Sequence, residues 1–120
     1  MQPIPARILT HSVVLRVCSG VDVWQAPTWT ETQLSKVCMQ PSHETRKTRD
    51  NTEVVLRSLL FIDAVRSVPA GLDVGALQVQ SEAAGQPMTL TFEGEEYTVL
   101  TVEKLFDDRG VLHHWEVGCV

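Results

Sequence analysis

The sequence predicts a mainly β fold: a small β-barrel of about six strands, with one short helix and a long polar loop between strands two and three. Short segments of alternating apolar and polar residues recur along the chain, which is typical of half-buried strands. Turn-forming residues separate these segments. The 120 residues suffice for one hydrophobic core but not two. We therefore expect a single domain over residues 1–120, in which closure of the sheet protects the strand edges.

The composition is that of a globular protein, with 43% apolar and 21% charged residues. The chain has no apolar run of signal-peptide or membrane-spanning length, so we expect synthesis in a cytoplasm and no membrane partner. Cys18, Cys38 and Cys119 are odd in number and widely spaced. This spacing predicts buried or half-buried thiols rather than disulfides or zinc ligands.

The first third of the chain predicts two strands joined by an aromatic loop. Residues 10–18 alternate and form strand one. The connection that follows contains Trp24 and Trp29, which we place in or beside a loop. Residues 30–40 form strand two, and Pro41 stops it because proline cannot donate to a sheet ladder.

The central third contains the most polar and the most apolar segments. Residues 43–51 contain no apolar side chain, so they cannot contribute to a core and must be exposed. Residues 53–64 form strand three, which we expect to be buried on both faces over part of its length and paired with strand two.

The remaining elements are a helix and three strands. Residues 72–84 fit a short helix that ends near Gly85. Tight turns at 93–95 and 107–110 separate three alternating segments. The predicted strands are residues 88–92, 96–105 and 112–120.

Candidate catalytic and metal sites are few. His113 and His114 are adjacent on a predicted strand, so their side chains should point to opposite faces, where they cannot easily bind one ion. Asp107 and Asp108 fit a polar turn better than an acid–base pair. Since phosphate-binding loops and nucleophile motifs are also absent, we expect no cofactor, no metal and no enzymatic activity.

Charge is distributed unevenly. Residues 1–66 carry eight Lys/Arg and six Asp/Glu, whereas residues 67–120 carry two and nine. We call residues 43–51 the polar excursion. Positive charge is concentrated there, at Arg46, Lys47 and Arg49. Such a run often marks only a solvated hairpin tip, but its length favours an arm that reaches a neighbouring subunit, a channel axis or DNA phosphates.

The aromatic loop is the second unusual feature. Large aromatic side chains away from strand centres cover a barrel mouth or anchor a protein interface. Trp24 and Trp29 are therefore candidate interface residues, and the sequence leaves both possibilities open.

Three stretches resemble the minor capsid protein family of tailed bacteriophages and prophages. They are PARILTHSV at residues 5–13, HETRKTRDNTEVVLRS at 43–58 and DDRGVLHHWE at 107–116. The resemblance implies a head-completion or head–tail connector protein of a long-tailed phage with a Gram-positive host. Its location would be the virion, reached after assembly in the bacterial cytoplasm.

Proteins of that class are similar in being small β-barrels that form a ring below the portal and adaptor, where they retain DNA and dock the tail. The resemblance implies that the excursion faces the channel as a gate. Its partners would be other copies in a cyclic homo-oligomer, the portal or adaptor, a tail-completion protein and passing DNA. The channel-facing residues would be His43, Glu44, Arg46, Lys47, Arg49 and Asp50.

Three alternatives remain open at this stage. One is a tail-completion protein of the same virion. Another is a stand-alone small-barrel nucleic-acid-binding module, which should show aromatic platforms among cations along its strands. Against it, the aromatic residues other than the two loop tryptophans fall mostly at apolar core positions, at Phe61, Phe92, Tyr97 and Trp115. A small enzyme with converging titratable groups is the third alternative.

Overall fold

The computed structural model describes residues 4–48 and 50–120. A 3₁₀-helix at Ala6–Ile8 precedes eight strands and one α-helix. In chain order these are β1 (His11–Val21), β2 (Pro27–Pro41), β3 (Thr45–Lys47), β4 (Glu53–Val55), β5 (Ser58–Asp63), α1 (Val74–Ala83), β6 (Thr89–Phe92), β7 (Glu95–Phe106) and β8 (Leu112–Cys119).

Six of the strands form one sheet that closes on itself. Its hydrogen-bonded order is β1-β2-β5-β8-β7-β6, and β6 pairs with β1 to close the barrel. All of these pairs are antiparallel. Alternate side chains point inward and form the core, which includes Val13, Leu15, Leu34, Leu60, Leu90, Trp115 and Val117. The predicted mainly β fold, six barrel strands and single helix are confirmed.

Helix α1 covers a part of the barrel that the short strand β6 leaves open. β6 lies between β1 and β7, and it pairs with β1 only from Val14 to Arg16. Both neighbouring strands continue past β6, and α1 packs against both of them there. Ser81 Oγ accepts a bond from the Cys18 N–H at 3.0 Å, and Gln78 Nε2 donates to the Leu100 carbonyl at 3.2 Å. Polar side chains of the helix thus satisfy strand groups that would otherwise lack partners.

The ends of the helix also agree with the sequence. The Asp73 side chain caps the first turn by accepting from the Ala76 N–H at 3.0 Å. Gly85 follows the last turn with φ of 87°, a conformation that favours glycine. Within the described residues, no helix is both long and apolar enough to cross a membrane.

The polar excursion and strand three differ from prediction. The predicted long loop folds into a two-stranded hairpin, with Thr45 opposite Val55 and Lys47 opposite Glu53. Strand three is two strands, because the chain leaves this hairpin at Leu56 before β5 enters the barrel. These two strands have three residues each, and only their central residues are half-buried, so no apolar alternation predicted them. The predicted pairing of strand two with β5, which is buried on both faces, is confirmed.

The predicted start of strand two at residue 30 is three residues too late, and Trp29 lies beside the loop rather than in it. β2 begins at Pro27, and Trp29 lies in it opposite Cys18. Proline is tolerated here because β5 does not pair with this part of β2, leaving it an edge strand with respect to the barrel. Trp24 lies in the turn between β1 and β2, as predicted.

The three cysteines are free and buried, as their spacing predicted. Burial raises the pKa of the Cys119 thiol to about 12. The positive charge of Arg57 opposes this shift without cancelling it.

Candidate functional site

The polar hairpin, residues 43–55, lies along the outer wall of the barrel; we call it the basic hairpin. It starts at the end of the barrel where β2 finishes. Arg46 contacts Glu103 on β7 and Glu116 on β8. Lys47 and Thr48 line a shallow pocket with Thr101, Val102 and other residues of β7 and α1. The hairpin is therefore folded against its own barrel.

Arg46 is the centre of a cluster of carboxylates. Its Nε and Nη2 donate to Glu44 Oε2 at 3.1 and 2.6 Å, and its Nη1 donates to Glu103 Oε1. Glu116 Oε1 lies 3.9 Å from Nη2. Hydrogen bonding to Glu44 is the largest effect that raises the pKa of Arg46. Because Glu103 and Glu116 face each other across β7 and β8, Arg46 also offsets repulsion between like charges.

The base of the basic hairpin is fastened by packing. Leu56 is buried and lies over Gly118 of β8. A Cβ atom at Gly118 would stand 2.3 Å from Thr101 Oγ1 and 2.8 Å from Leu56 Cδ1, so this approach requires glycine. The Leu56 N–H donates to the Glu44 carbonyl at 2.8 Å, which ties the two sides of the hairpin together.

The tip of the basic hairpin is closed by local hydrogen bonds. Asp50 accepts from the Thr48 hydroxyl and from the Thr52 N–H, the latter at 3.2 Å. The bond from Thr48 is the main cause that lowers the pKa of Asp50. Asn51 adopts φ of 67°, which asparagine tolerates in turns.

The predicted channel-facing residues thus have different local roles. Glu44 and Arg46 bind each other, and Asp50 shapes the turn. The side chains of His43 and Lys47 are exposed. Arg49 lies outside the described residues. That these residues face a DNA channel stays a prediction.

A second hairpin extends beyond the barrel, formed by residues 17–33; we call it the aromatic arm. β1 pairs with β6 only as far as Arg16, and β2 pairs with β5 only from Val37 onward. Between these limits the two strands pair with each other up to Val21 and Pro27. The result is a two-stranded ribbon with an aromatic residue in its turn.

The turn of the aromatic arm presents apolar side chains on an ordered backbone. Asp22 Oδ1 accepts from the N–H groups of Trp24 and Ala26 at 2.8 and 3.0 Å. Val23 and Trp24 are 87% and 84% exposed. Trp29 is half-buried, with the Arg16 guanidinium 4.3 Å above its ring. Of the two candidate interface residues, Trp24 is therefore the exposed one, and Trp29 is partly covered within its own chain.

Exposed apolar residues are frequent in the segments that follow β1, β5 and β7, which all finish toward the same end of the molecule. We call these segments together the apolar end. Within the described residues, seven of the eleven exposed large apolar side chains lie there. They are Val21, Val23 and Trp24 on the aromatic arm, Val65 and Val68 after β5, and Phe106 and Val111 beside the β7–β8 turn. The basic hairpin starts from the opposite end.

The prediction that His113 and His114 point apart is wrong. Their Nδ1 atoms are 2.8 Å apart, within hydrogen-bonding distance. Leu105 pairs with His114 and Phe106 pairs with Leu112, so His113 is an extra residue in β8, and this bulge redirects its side chain. Among the described residues, no group of three or more potential ligands is arranged to hold a metal ion.

Sequence reasoning missed the acidic partners of the basic hairpin and the apolar residues that follow β5. Glu103 and Glu116 lie at polar positions of alternating strands, but only the β7–β8 register brings them together beneath Arg46. Val65 and Val68 lie in an irregular segment, where apolar periodicity gives no information about exposure.

Comparison with known proteins adds the family. A sequence profile described as minor capsid protein matches residues 5–119, nearly the whole chain. No curated protein matches the chain. Minor capsid proteins are structural components of virions, and the closed barrel with two surface hairpins is compatible with such a role. This chain belongs to the minor capsid protein family.

Proposed function

We propose that the protein is a head–tail connector subunit of the head-completion type. Several copies would form a ring below the portal, retain the packaged DNA and dock the tail. Membership of the minor capsid protein family supports a structural role in the virion. The observation that carries the more specific proposal is the apolar end of the barrel.

At the tip of the aromatic arm, Val23 and Trp24 are adjacent and 87% and 84% exposed, so burying them in an interface would be favourable. A ring requires a heterologous interface, in which one surface of a subunit binds a different surface of the next. The aromatic arm and the remainder of the apolar end are two such surfaces. The acidic second part of the chain supplies a polar exterior.

The basic hairpin is the proposed gate. Arg46 is neutralised by Glu44 and Glu103, so Lys47 and Arg49 are the cations assigned to DNA or to a neighbouring carboxylate. The ion pairs of Arg46 would hold the hairpin against the wall, and their separation would let it move toward the channel. This division of roles refines the expectation that all three cations meet DNA or the carboxylates of a neighbouring subunit.

The first test is binding to heads that contain the portal but lack tails. Light scattering gives the mass of the purified protein, and imaging of heads mixed with it locates any bound ring. Stoichiometric binding at the portal vertex is expected. Binding elsewhere on the head, or none at all, would contradict the connector proposal.

The gate is tested with a Lys47→Ser, Arg49→Ser double variant, with Arg109→Ser in the exposed β7–β8 turn as the matched control. The double variant is expected to fold normally and join the vertex, yet give heads that leak DNA or join tails poorly. Normal DNA retention and tail joining in the double variant would argue against a gate in this hairpin.

Two alternatives give different results in the same assays. A tail-completion protein would bind isolated tails rather than tailless heads. A nucleic-acid-binding module would bind free DNA in a salt-sensitive way without heads. The structure disfavours the latter, because Tyr97 and Trp115 are buried in the core and only Trp24 and Phe106 among the seven aromatic residues are exposed.

A further inference from the structure

We propose that the aromatic arm of one copy docks into an apolar groove beside β2 of the next copy, with Trp24 as the anchor. This inference rests on the proposed ring and names the contact that would build it. The groove is lined by Ala6, Leu9, Lys36, Val65, Arg66 and Val68 and has a volume of about 440 Å³. Pockets of about 300–1,000 Å³ accommodate groups at least as large as an indole ring.

The arm cannot fill the groove of its own chain. Pro27 and Lys36 are nine residues apart on the same strand, which corresponds to about 30 Å at roughly 3.3 Å per residue. Trp24 lies beyond Pro27, farther still from the groove. β1 and β2 pair along the arm up to Val21 and Pro27, with one register shift between Cys18 and Gly20.

The tip of the aromatic arm and the groove are separate exposed surfaces of one copy. A second copy is therefore needed to bring them together. The contact joins different surfaces of the two copies, which is the arrangement that a ring requires.

Charge is complementary between the two surfaces. Residues 17–33 contain Asp22 and Glu31 and no lysine or arginine. The groove lining contains Lys36 and Arg66 and no acidic residue. Cations beside an apolar groove also favour an aromatic ring electrostatically. Val65 and Val68 are 70% and 50% exposed and would be covered by the arm.

The groove is held in shape before any partner arrives. Asp63 Oδ2 accepts from the N–H groups of Val65 and Arg66 at 2.9 and 2.8 Å. The Ser67 hydroxyl donates to the Lys36 carbonyl at 2.6 Å, and Val68 exchanges backbone hydrogen bonds with Ser35. A preorganised groove lowers the ordering cost of docking.

Disulfide cross-linking tests the contact directly. Val23→Cys and Val65→Cys are made in separate copies of the full chain, whose three native cysteines are buried. Mixing the two variants under oxidising conditions is expected to give a cross-linked dimer. Val23→Cys mixed with Val79→Cys, an exposed position on α1, is the matched control. Cross-linking no faster than in the control, up to the solubility limit, would overturn the proposal.

Self-association provides an independent measurement. Trp24→Ala is expected to weaken association of the purified protein at least tenfold, measured by sedimentation over a concentration series, because buried tryptophan anchors dominate interfaces. Its urea-unfolding midpoint should match that of the unaltered protein, since the ring is 84% exposed. Val79→Ala, an exposed apolar residue on α1 outside the apolar end, is the control. Equal association by the two variants would contradict the assignment of Trp24.

The proposed connector function and the proposed docking of the aromatic arm can fail separately. If the unaltered protein binds the portal vertex but shows neither the cross-link nor an effect of Trp24→Ala, the ring uses another interface and the arm proposal falls alone. If the cross-link forms but the protein does not bind heads, the copies assemble as proposed and the connector function falls. Docking of the arm on a portal or tail protein would appear as loss of that binding in Trp24→Ala without loss of self-association, and would also overturn the self-docking proposal.

Discussion

The basic hairpin and the aromatic arm are both two-stranded extensions of one barrel, yet their relations to it are opposite. The basic hairpin is highly charged, and its central cation binds Glu44 and the barrel residue Glu103. The aromatic arm has an apolar turn, and Val23 and Trp24 are almost fully exposed. The polar segment is thus the one held by its own chain, whereas the apolar turn is exposed.

This difference shows that residue polarity does not by itself predict which segment is available for binding. A cation beside two carboxylates of the same chain is already partly neutralised, so it contributes less to the attraction of a phosphate. An exposed tryptophan has no such internal partner and gains from burial elsewhere. The following predictions test how firmly each region is held.

The largest expected effect is at the anchor of the basic hairpin. Leu56→Ala removes a side chain that is buried against Gly118 and should lower the free energy of unfolding by about 3 kcal/mol. Urea unfolding measures this loss of free energy. Val55→Ala, at an exposed neighbouring position, should change this free energy by no more than about 0.5 kcal/mol. Equal effects of the two substitutions would mean that packing does not hold the hairpin.

Gly118, the residue against which Leu56 packs, should be nearly as sensitive to substitution. Gly118→Ala introduces a Cβ 2.3 Å from Thr101 Oγ1 and should cost about 2 kcal/mol of stability. Gly75→Ala in α1 is the control, because its Cβ would meet the Trp115 ring at an ordinary 3.4 Å and should gain about 0.5–1 kcal/mol from helix propensity. Thermal unfolding should therefore shift in opposite directions. A shift of the same sign for both would reject the close-contact argument.

The shape of the apolar groove beside β2 should depend on Asp63. Asp63→Asn weakens the hydrogen bonds to the N–H groups of Val65 and Arg66 and should lower the free energy of unfolding by about 1.5 kcal/mol at neutral pH. Hydrogen exchange of these two amides, measured by NMR, should be faster in Asp63→Asn than in the unaltered protein. Unchanged exchange would show that the carboxylate does not shape the groove.

The same residue predicts a pH dependence. Burial opposes ionisation of Asp63, but bonds from the N–H groups of Arg66, Ile4 and Val65 outweigh it and lower the pKa of the carboxyl group. A group whose pKa is lower in the folded state stabilises fully above its unfolded pKa, about 3.9, and loses that contribution as pH falls through the folded value. The stability difference between the native chain and Asp63→Asn should therefore shrink in acid. A difference that grows below this pH would contradict the assignment.

The smallest effect is expected at the ion pairs of the basic hairpin. Arg46→Gln should lower the free energy of unfolding by about 0.5 kcal/mol at low salt, because these groups remain partly solvated. The loss should fade as salt is added, since ions screen the interaction. Lys47→Gln on the same strand is the control, with a smaller expected change. A loss that is independent of salt would indicate a packing role for Arg46.

The sequence alone predicted much of the barrel. Alternation placed β1, β6, β7 and β8, and the turn residues placed the connections between them, because these signals are local and repeat at the strand period. Gly85 similarly predicted the C-terminal end of α1. Local signals also favoured the exposure of Trp24, whose turn backbone is organised by the neighbouring Asp22.

Other features depended on residues far apart in sequence. The bulge at His113 arises from the register of β8 against β7, and the position of Trp29 depends on where β5 stops pairing with β2. Neither is encoded in a local pattern. The same is true of the carboxylates that meet Arg46, which lies 57 residues from Glu103 in the chain.

By itself, the sequence determined that this protein would be a small, mainly β barrel with one helix and two unusual loop regions, because apolar periodicity and turn chemistry act over a few residues. The tertiary structure decided which hairpin is held and which is free. That outcome depends on barrel closure, which sets Glu103 and Glu116 beneath Arg46 and leaves Trp24 beyond the last paired barrel strand. Contacts of this kind follow from strand register and curvature, and no short stretch of sequence specifies them.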